Sequence, residues 1–116
     1  MIAGRLAMVA GVGLSCGSDD PDASGRAAYE ATCAACHGEE LRGTSMGPPF
    51  LEAIYAPDHH PDDSFRAAVA QGVPPHHWNF GPMPPQAHIS DREIDAIIAY
   101  VRARQLEAGI TQDPSH

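Results

Sequence analysis

The feature that most constrains this chain is the run Cys33-Ala34-Ala35-Cys36-His37, in which two cysteines are separated by two residues and followed at once by a histidine. Two thiols at this spacing can form thioether bonds with the two vinyl groups on one edge of a porphyrin. The imidazole of His37 then lies beneath the iron as a permanent axial ligand, while the small side chains of Ala34 and Ala35 let the backbone approach the macrocycle. The spacing therefore predicts a covalently bound c-type haem.

Three other uses of Cys33 and Cys36 compete with haem attachment. A redox-active pair would require a thioredoxin-like βαβ pattern, which the sequence lacks. A structural disulfide is the second alternative. The third is a zinc site, but zinc would leave the adjacent His37 without a role. Its two nitrogen ligands would come from four of the histidines outside the motif: His59, His60, His76 and His77. His59 and His60 are otherwise expected to be exposed.

The length and charge of the chain limit what it can bind. A chain of 116 residues allows one domain, and its own apolar core would be marginal unless a bound macrocycle completed it. It carries 15 acidic residues against 7 arginines, no lysine, and a net charge of −8. This balance disfavours nucleic acid and anionic lipid surfaces. It predicts either a redox partner with a basic surface or simply the solubility of an exported protein.

The N-terminal segment predicts export. Residues 1–16 contain Arg5 followed by an apolar run that is too short to span a bilayer, as in a signal peptide. Leu14-Ser15-Cys16-Gly17 also resembles a bacterial lipoprotein cleavage site, in which Cys16 would be acylated. The alternative is an ordinary signal peptide without lipidation. Residues 17–23 are polar and acidic, which predicts a flexible tether.

The first and last predicted helices are expected to pack against each other. The first runs from Ser24, a good N-cap, to Thr32, and it places Gly25 and Tyr29 on one face, as a close helix crossing would require. The last begins at the capping box Ser90-Asp91-Arg92-Glu93. Its apolar stripe is Ile94, Ile97, Ile98 and Val101, and its opposite side carries Arg92, Asp95, Arg102 and Arg104.

A shorter helix is predicted between these two. It runs from Ser64 to Gln71, with an aspartate at 62–63 as its cap and Gly72 as its stop. The stretch 39–61 has no regular apolar period, so it is predicted to be loop with one helical turn at 51–55. After Gly109, residues 111–116 are predicted to be a frayed tail.

Met83 is the predicted distal ligand of the iron. It follows Gly81-Pro82 and precedes Pro84-Pro85, so the surrounding backbone has few accessible states and can present the sulfur at little entropic cost. A methionine that merely fills a gap in the core is the alternative. The competing distal ligands are His76, His77 and, more weakly, Met46.

Two further positions are candidate haem contacts. In Gly47-Pro48-Pro49-Phe50, the prolines leave carbonyl oxygens without local donors, and one of these can accept a hydrogen bond from His37. A rigid turn without a ligand role is the alternative. Trp78 can pack on the haem edge and donate its indole proton to a propionate, or it can be an ordinary core residue.

Taken together, these motifs resemble those of small bacterial monohaem class I cytochromes c, over roughly residues 24–106. The resemblance implies an all-α class I cytochrome c fold, with three main helices and loops wrapped around one covalently attached haem. It implies thioether bonds from Cys33 and Cys36, His37 as proximal ligand, Met83 as distal ligand, and the Pro48 carbonyl as acceptor from His37. The proline- and histidine-rich loop 73–80 and the absence of lysine depart from the family pattern.

The expected function is one-electron transfer by a cytochrome domain at residues 24–110 in the periplasm. Iron held by an imidazole and a thioether has no open position for substrate. The expected partners are a quinol-oxidising complex, a periplasmic dehydrogenase or a terminal oxidase. The alternative is a haem enzyme or gas sensor in which Met83 is labile and His76 or His77 acts as the distal acid–base residue.

Overall fold

The computed structural model describes residues 21–75 and 80–113. Within these ranges the chain is helical and contains no β-strand, apart from one isolated antiparallel bridge between Val73 and Met83. The all-α fold predicted from the sequence is thus confirmed. The elements are α1 (Pro21–Thr32), α2 (Ala34–His37), a 3₁₀ turn (Ala53–Tyr55), α3 (Asp62–Gln71) and α4 (Asp91–Glu107).

Helix α1 includes Pro21, the first described residue, so the chain is helical three residues before the predicted start at Ser24. The Arg104 guanidinium also reaches the Asp22 carboxylate, with Nη1 and Oδ2 3.2 Å apart. Residues 21–23 therefore belong to the helix and not to the predicted tether.

Helix α3 begins at Asp62, two residues before the predicted start. The N-cap is Pro61, which has an extended backbone, and Ser64 Oγ donates to the Pro61 carbonyl at 2.7 Å. Asp62 and Asp63 lie in the first turn, where their charges stabilise the positive end of the helix dipole instead of capping it. Gly72 ends the helix with φ +77°, as predicted.

The crossing of α1 and α4 organises the core, and it occurs where the sequence predicts it. A Cβ on Gly25 would collide with the Ala96 carbonyl oxygen and would lie 2.8 Å from Tyr100 Cβ, so only glycine permits this approach. The rings of Tyr29 and Tyr100 pack with centroids 5.5 Å apart. Tyr29 is fully buried.

The capping box at the start of α4 is also confirmed. Ser90 Oγ accepts from the backbone N–H of Glu93 at 3.1 Å, and the Ser90 N–H donates to Glu93 Oε1 at 2.9 Å. The predicted apolar stripe is buried throughout. None of the described helices is both long and apolar enough to cross a membrane.

Two arginines of α4 depart from the exposed positions that the helical period predicts. The side chains of Arg102 and Arg104 are only 17% and 23% exposed. Each lies over an aromatic ring, with the guanidinium carbon 4.9 Å from the ring centroids of Phe65 and Tyr100 respectively. Long side chains can bury their stems in this way while the charged group finds polar partners. The amphipathic pattern predicted exposed positions for these two arginines, and this prediction was wrong because other segments cover α4 on more than one side.

Candidate haem site

A cavity of about 310 Å³ opens beside α2 and α3. Its walls are mostly apolar, and it brings together residues that are distant in the sequence. Of the predicted site residues, Cys33, His37, Pro48 and Met83 line it. The aromatic lining residues are Phe50, Tyr55, Phe65 and Phe80. A mostly apolar pocket with a few convergent donor atoms is typical of a cofactor site.

The imidazole of His37 is held on two sides. Its Nδ1 lies 2.8 Å from the Pro48 carbonyl oxygen, which can only accept, so Nδ1 carries the proton. The Phe50 ring stacks on the imidazole with centroids 4.1 Å apart and an angle of 18° between the planes. Burial lowers the pKa of His37, and the Pro48 hydrogen bond opposes part of that effect. The neutral ring therefore keeps Nε2 available to bind a metal.

The attachment motif folds as a short helix that stops at a glycine. The N–H groups of Cys36 and His37 both donate to the Cys33 carbonyl, at 3.2 and 2.9 Å. Gly38 then turns the chain away with φ +90°, a conformation that L-residues rarely adopt. Tyr29 Oη donates to the Gly38 carbonyl at 2.6 Å. This bond ties the end of the motif to the buried face of α1.

The two cysteines differ in their surroundings. Both carry free thiols and are half-buried, but Cys33 lines the cavity whereas Cys36 does not. Burial, together with the neighbouring Cys36, raises the pKa of the Cys33 thiol to about 11. The Cys36 carbonyl accepts from Thr44 Oγ1 at 2.7 Å. A Cβ on Gly47 would lie 2.8 Å from that same carbonyl oxygen, so the loop packs closely on the motif.

Met83 reaches the cavity through a pairing that the sequence did not predict. Its N–H and carbonyl pair with Val73, at 2.8 and 2.9 Å, so the segment after α3 fixes the backbone of Met83. Gly72 makes room for this, because a Cβ there would lie 2.6 Å from the Met83 carbonyl oxygen. Met46, the weaker candidate, is 64% exposed and does not line the cavity.

Four predicted positions lie outside the described residues. They are Cys16, His76, His77 and Trp78. The lipidation, propionate and competing-ligand roles assigned to them from the sequence therefore stay predictions.

His59 and His60 are not exposed as the sequence suggested. His60 lines the cavity and stacks on Tyr55, with ring centroids 4.4 Å apart. His59 Nδ1 lies 3.2 Å from Asp113 Oδ2. Across residues 21–75 and 80–113, no three His, Cys, Asp or Glu side chains form a group that could hold a metal ion, so the zinc alternative finds no support among them.

The chain resembles a known protein family and a solved structure. Residues 20–101 match the family model described as cytochrome c oxidase, cbb3-type, subunit III. The chain belongs to this cytochrome c family. A search of curated protein sequences finds no match. The family confirms the resemblance to a small cytochrome c, and it makes the chain a haem-based electron-transfer protein and not an enzyme.

A solved structure supports the fold of this cytochrome. The c-type cytochrome XoxG from Methylobacterium extorquens AM1 superposes with a TM-score of 0.58 at 22% sequence identity. The match covers 81% of this chain but only 55% of XoxG, so the chain spans about half the length of that protein. At this identity the likeness shows the fold alone.

The residues of the cavity fit the haem that the family implies. The lining includes the His37 imidazole, the Met83 thioether and the Cys33 thiol, and Cys36 lies in the same motif just outside the lining. These are the groups that attach and ligate c-type haem. Hard carboxylate donors are absent from the lining of the cavity in the described part of the chain. The aromatic and aliphatic walls suit the flat apolar faces of a porphyrin.

Two residues of the cytochrome site have no clear mark in the sequence. Phe50 stands out only as part of a proline-rich run, and Gln105 does not stand out at all. Gln105 is 1% exposed and donates from Nε2 to the carbonyls of Phe50 and Tyr55, at 2.9 and 3.0 Å. No local signal marks either role, because both depend on which loop lies against α4. A glutamine on a helix face is ordinarily exposed.

Proposed function

We propose that this cytochrome is an exported one-electron carrier that holds one haem through thioether bonds from Cys33 and Cys36, with His37 and Met83 as the axial ligands. The observation that carries the proposal is that His37 and Met83, 46 residues apart in the sequence, line one apolar cavity together with Cys33. Trp78 is proposed to lie against the same haem.

Haem iron between an imidazole and a thioether exchanges one electron with little change in geometry, at a potential that the methionine raises. The surrounding residues of the chain hold these ligands in place and keep water away from them. Pro48 accepts the Nδ1 proton of His37, which fixes the ring and increases its basicity as a ligand. Phe50, Phe65 and Ile97 exclude water from the cavity wall. The pairing with Val73 limits how far the Met83 backbone can move.

The partners of this cytochrome are redox proteins, and we propose a quinol-oxidising complex, a periplasmic dehydrogenase or a terminal oxidase. The name of the matching family supports a terminal oxidase among them, with the chain either a free carrier or a subunit. The N-terminal sequence supports a signal peptide and a periplasmic location, and a lipidated Cys16 is the proposed anchor.

The visible and near-infrared spectrum tests the ligand set. Oxidised protein, matured in a host that attaches c-type haem, is expected to show a weak sulfur-to-iron charge-transfer band at about 695 nm. Met83→Ala should abolish the band and lower the reduction potential, whereas the matched control Met46→Ala should leave both unchanged. Loss of the band in Met46→Ala alone would refute the assignment of Met83. A high-spin spectrum that changes with carbon monoxide would instead indicate an open iron site.

The anchor is tested separately. Mass spectrometry of the mature protein from the membrane fraction should show diacylglycerol and an N-terminal fatty acid on Cys16, and Cys16→Ser should release the protein to the soluble fraction. Cleavage beyond Cys16 in the wild-type protein would show an ordinary signal peptide.

A further inference from the structure

The imidazole of His37 is oriented by a loop, and other parts of the fold hold that loop in place. Both groups that hold the imidazole, the Pro48 carbonyl and the Phe50 ring, belong to one segment, residues 48–60, here termed the cavity loop. The orientation of the imidazole is therefore only as well defined as the position of this loop. Short-range hydrogen bonding within the loop is limited to the turn around the 3₁₀ segment and the residues that follow it.

The start of the cavity loop is fixed from two sides. The N–H of Phe50 donates to the Leu41 carbonyl at 2.9 Å. The Phe50 carbonyl accepts from Gln105 Nε2, which also donates to the Tyr55 carbonyl. One amide group of α4 thus spans the loop at two points. Because Gln105 is 1% exposed, water cannot replace these bonds without opening the core.

Arg102 makes the orientation of that amide unambiguous. Its Nη1 donates to Gln105 Oε1 at 2.8 Å, so the oxygen of the amide faces the arginine and the nitrogen faces the loop. The same guanidinium donates to the carbonyls of Tyr55 and His60 and, through Nε, to Asp62 Oδ1 at 2.9 Å. The arginine therefore closes the far end of the cavity loop onto α4 and α3.

We propose that Gln105, oriented by Arg102, is a positioning residue for the haem ligand His37. The two hydrogen bonds from Gln105 hold Phe50 against the imidazole and keep the neighbouring Pro48 carbonyl in line with Nδ1. This inference rests on the proposed function, in which His37 binds the iron. It predicts that replacing the uncharged Gln105, which is hydrogen-bonded to the cavity loop and not to His37, weakens the hydrogen bond between His37 and Pro48.

The test compares Gln105→Met, which keeps the size of the side chain and removes both donors, with wild-type holoprotein. Its control is Arg104→Met, which lies on the same helix and is partly buried, with a side chain 23% exposed, but pairs with Asp22 and Glu107 instead of the cavity loop. The readouts are solvent exchange of the His37 Nδ1 proton in the reduced protein, followed by NMR on ¹⁵N-histidine-labelled samples, and the reduction potential.

Gln105→Met is expected to speed exchange of the Nδ1 proton roughly tenfold, because the loop opens more often when the buried Phe50 carbonyl has lost its donor. The weaker Pro48 bond makes His37 a less basic ligand, so the potential should rise. Arg104→Met should leave exchange and potential as in the wild type, although it also lowers stability. If Gln105→Met does not give folded holoprotein, Gln105→Glu keeps the acceptor for Arg102 and, as a carboxylate, removes the donors. The same faster exchange is expected, and exchange alone is compared for this variant because its added charge shifts the potential by itself.

The outcomes separate the two proposals. If the wild-type protein gives no iron-shifted His37 signals in its oxidised form, His37 is not a ligand and the proposed function fails before any variant is compared. If those signals are present but the Gln105 variants exchange at the wild-type rate, or if Arg104→Met speeds exchange equally, the positioning role of Gln105 is overturned.

Discussion

At the scale of single residues, hydrogen bonds to backbone carbonyls fix the haem motif. Pro48 accepts from His37, and Gly38, the next residue, presents its own carbonyl to Tyr29. Burial is the main cause that raises the pKa of the Tyr29 hydroxyl well above its ordinary value, so the hydroxyl remains a donor over the whole physiological range. Loss of either donor, the Tyr29 hydroxyl or the His37 Nδ1–H, would leave one of these two carbonyls without its partner.

Tyr29→Phe is expected to lower the free energy of unfolding by about 1 kcal/mol, because the buried Gly38 carbonyl loses its donor while the ring packing is kept. Denaturant unfolding of the holoprotein measures this. The exposed control Met46→Ala should change the value by less than about 0.5 kcal/mol. An unchanged midpoint in Tyr29→Phe would mean that water satisfies the carbonyl.

The same substitution should change the response to alkaline pH. The folded pKa of Tyr29 is raised, so its contribution is fully present below the unfolded pKa of about 10 and is lost as the pH rises through the folded pKa. Tyr29→Phe should therefore lose less stability than the wild type between about pH 9 and 11. Equal losses of stability in the two proteins would assign the alkaline transition to other groups. Tyr55 is one of these, because burial raises its pKa to about 12.

At the scale of elements, the contact between α1 and α4 is the main helix packing of the fold. Gly25 allows the backbones to touch, and Arg104 joins the last turns of α4 to Asp22 at the start of α1. The cavity loop and α3 then complete the other side of α4, where Arg66 of α3 also pairs with Asp95 at 2.7 Å. Helix α4 is therefore the element on which the haem site is assembled.

Gly25→Ala should destabilise the cytochrome by about 1–3 kcal/mol, because the added methyl group meets backbone atoms that cannot rotate away. Helix propensity alone predicts the opposite sign, since alanine is favoured over glycine by about 1 kcal/mol in a helix interior. Ala27→Gly, at an exposed position of α1, calibrates that propensity effect. A thermal midpoint that rises in Gly25→Ala would show that the helices can move apart at little cost.

Ser90→Ala should lower the free energy of unfolding by about 1 kcal/mol, because the Glu93 N–H loses its cap.

The hydrogen bond from the Ser90 N–H lowers the pKa of Glu93. The contribution of this carboxylate to stability is therefore present above its unfolded pKa and is lost as the pH falls through the folded pKa. Glu93→Gln should accordingly flatten the acid limb of the stability profile. Identical acid limbs in wild type and Glu93→Gln would contradict this assignment.

At the scale of the whole molecule, negative charge dominates. The chain has a net charge of −8, and Arg66, Arg102 and Arg104 each pair with aspartates of the fold. The arginines are thus partly neutralised within the protein, while much of the acidic charge remains to attract a partner. This favours docking to a basic surface and not the use of a basic ring on the cytochrome itself.

Reaction with small oxidants should report this field. Oxidation of the reduced protein by a cationic cobalt(III) complex should slow as the ionic strength rises, whereas oxidation by hexacyanoferrate(III) should become faster. Stopped-flow rates between about 10 and 300 mM salt measure both, since the Debye length falls from roughly 30 Å to less than 10 Å over that range. Equal salt dependence for the two oxidants would show that the site of electron exchange does not experience the net charge.

The sequence by itself determined the features that depend on short spacing. Each of these features involves residues within about one helical turn of one another, so its geometry follows from local backbone rules. They are the attachment motif, the capping box at Ser90, the stop at Gly72 and the glycine at the crossing. These features were sufficient to predict the fold and the haem. Helix α3 starts two residues earlier than predicted, because Pro61, with its extended backbone, takes the N-cap position expected of an aspartate. Helix α1 includes residues 21–23, which were predicted to be tether.

Only the tertiary structure decided which distant groups meet. Sequence spacing could rank Met83 above Met46, but the bridge with Val73 is what brings Met83 to the cavity. The stack of Phe50 on His37 and the bonds from Gln105 likewise join residues 13 and 55 positions apart. Such contacts leave no local pattern, because they depend on how a loop without regular period closes against a helix that is folded elsewhere in the chain.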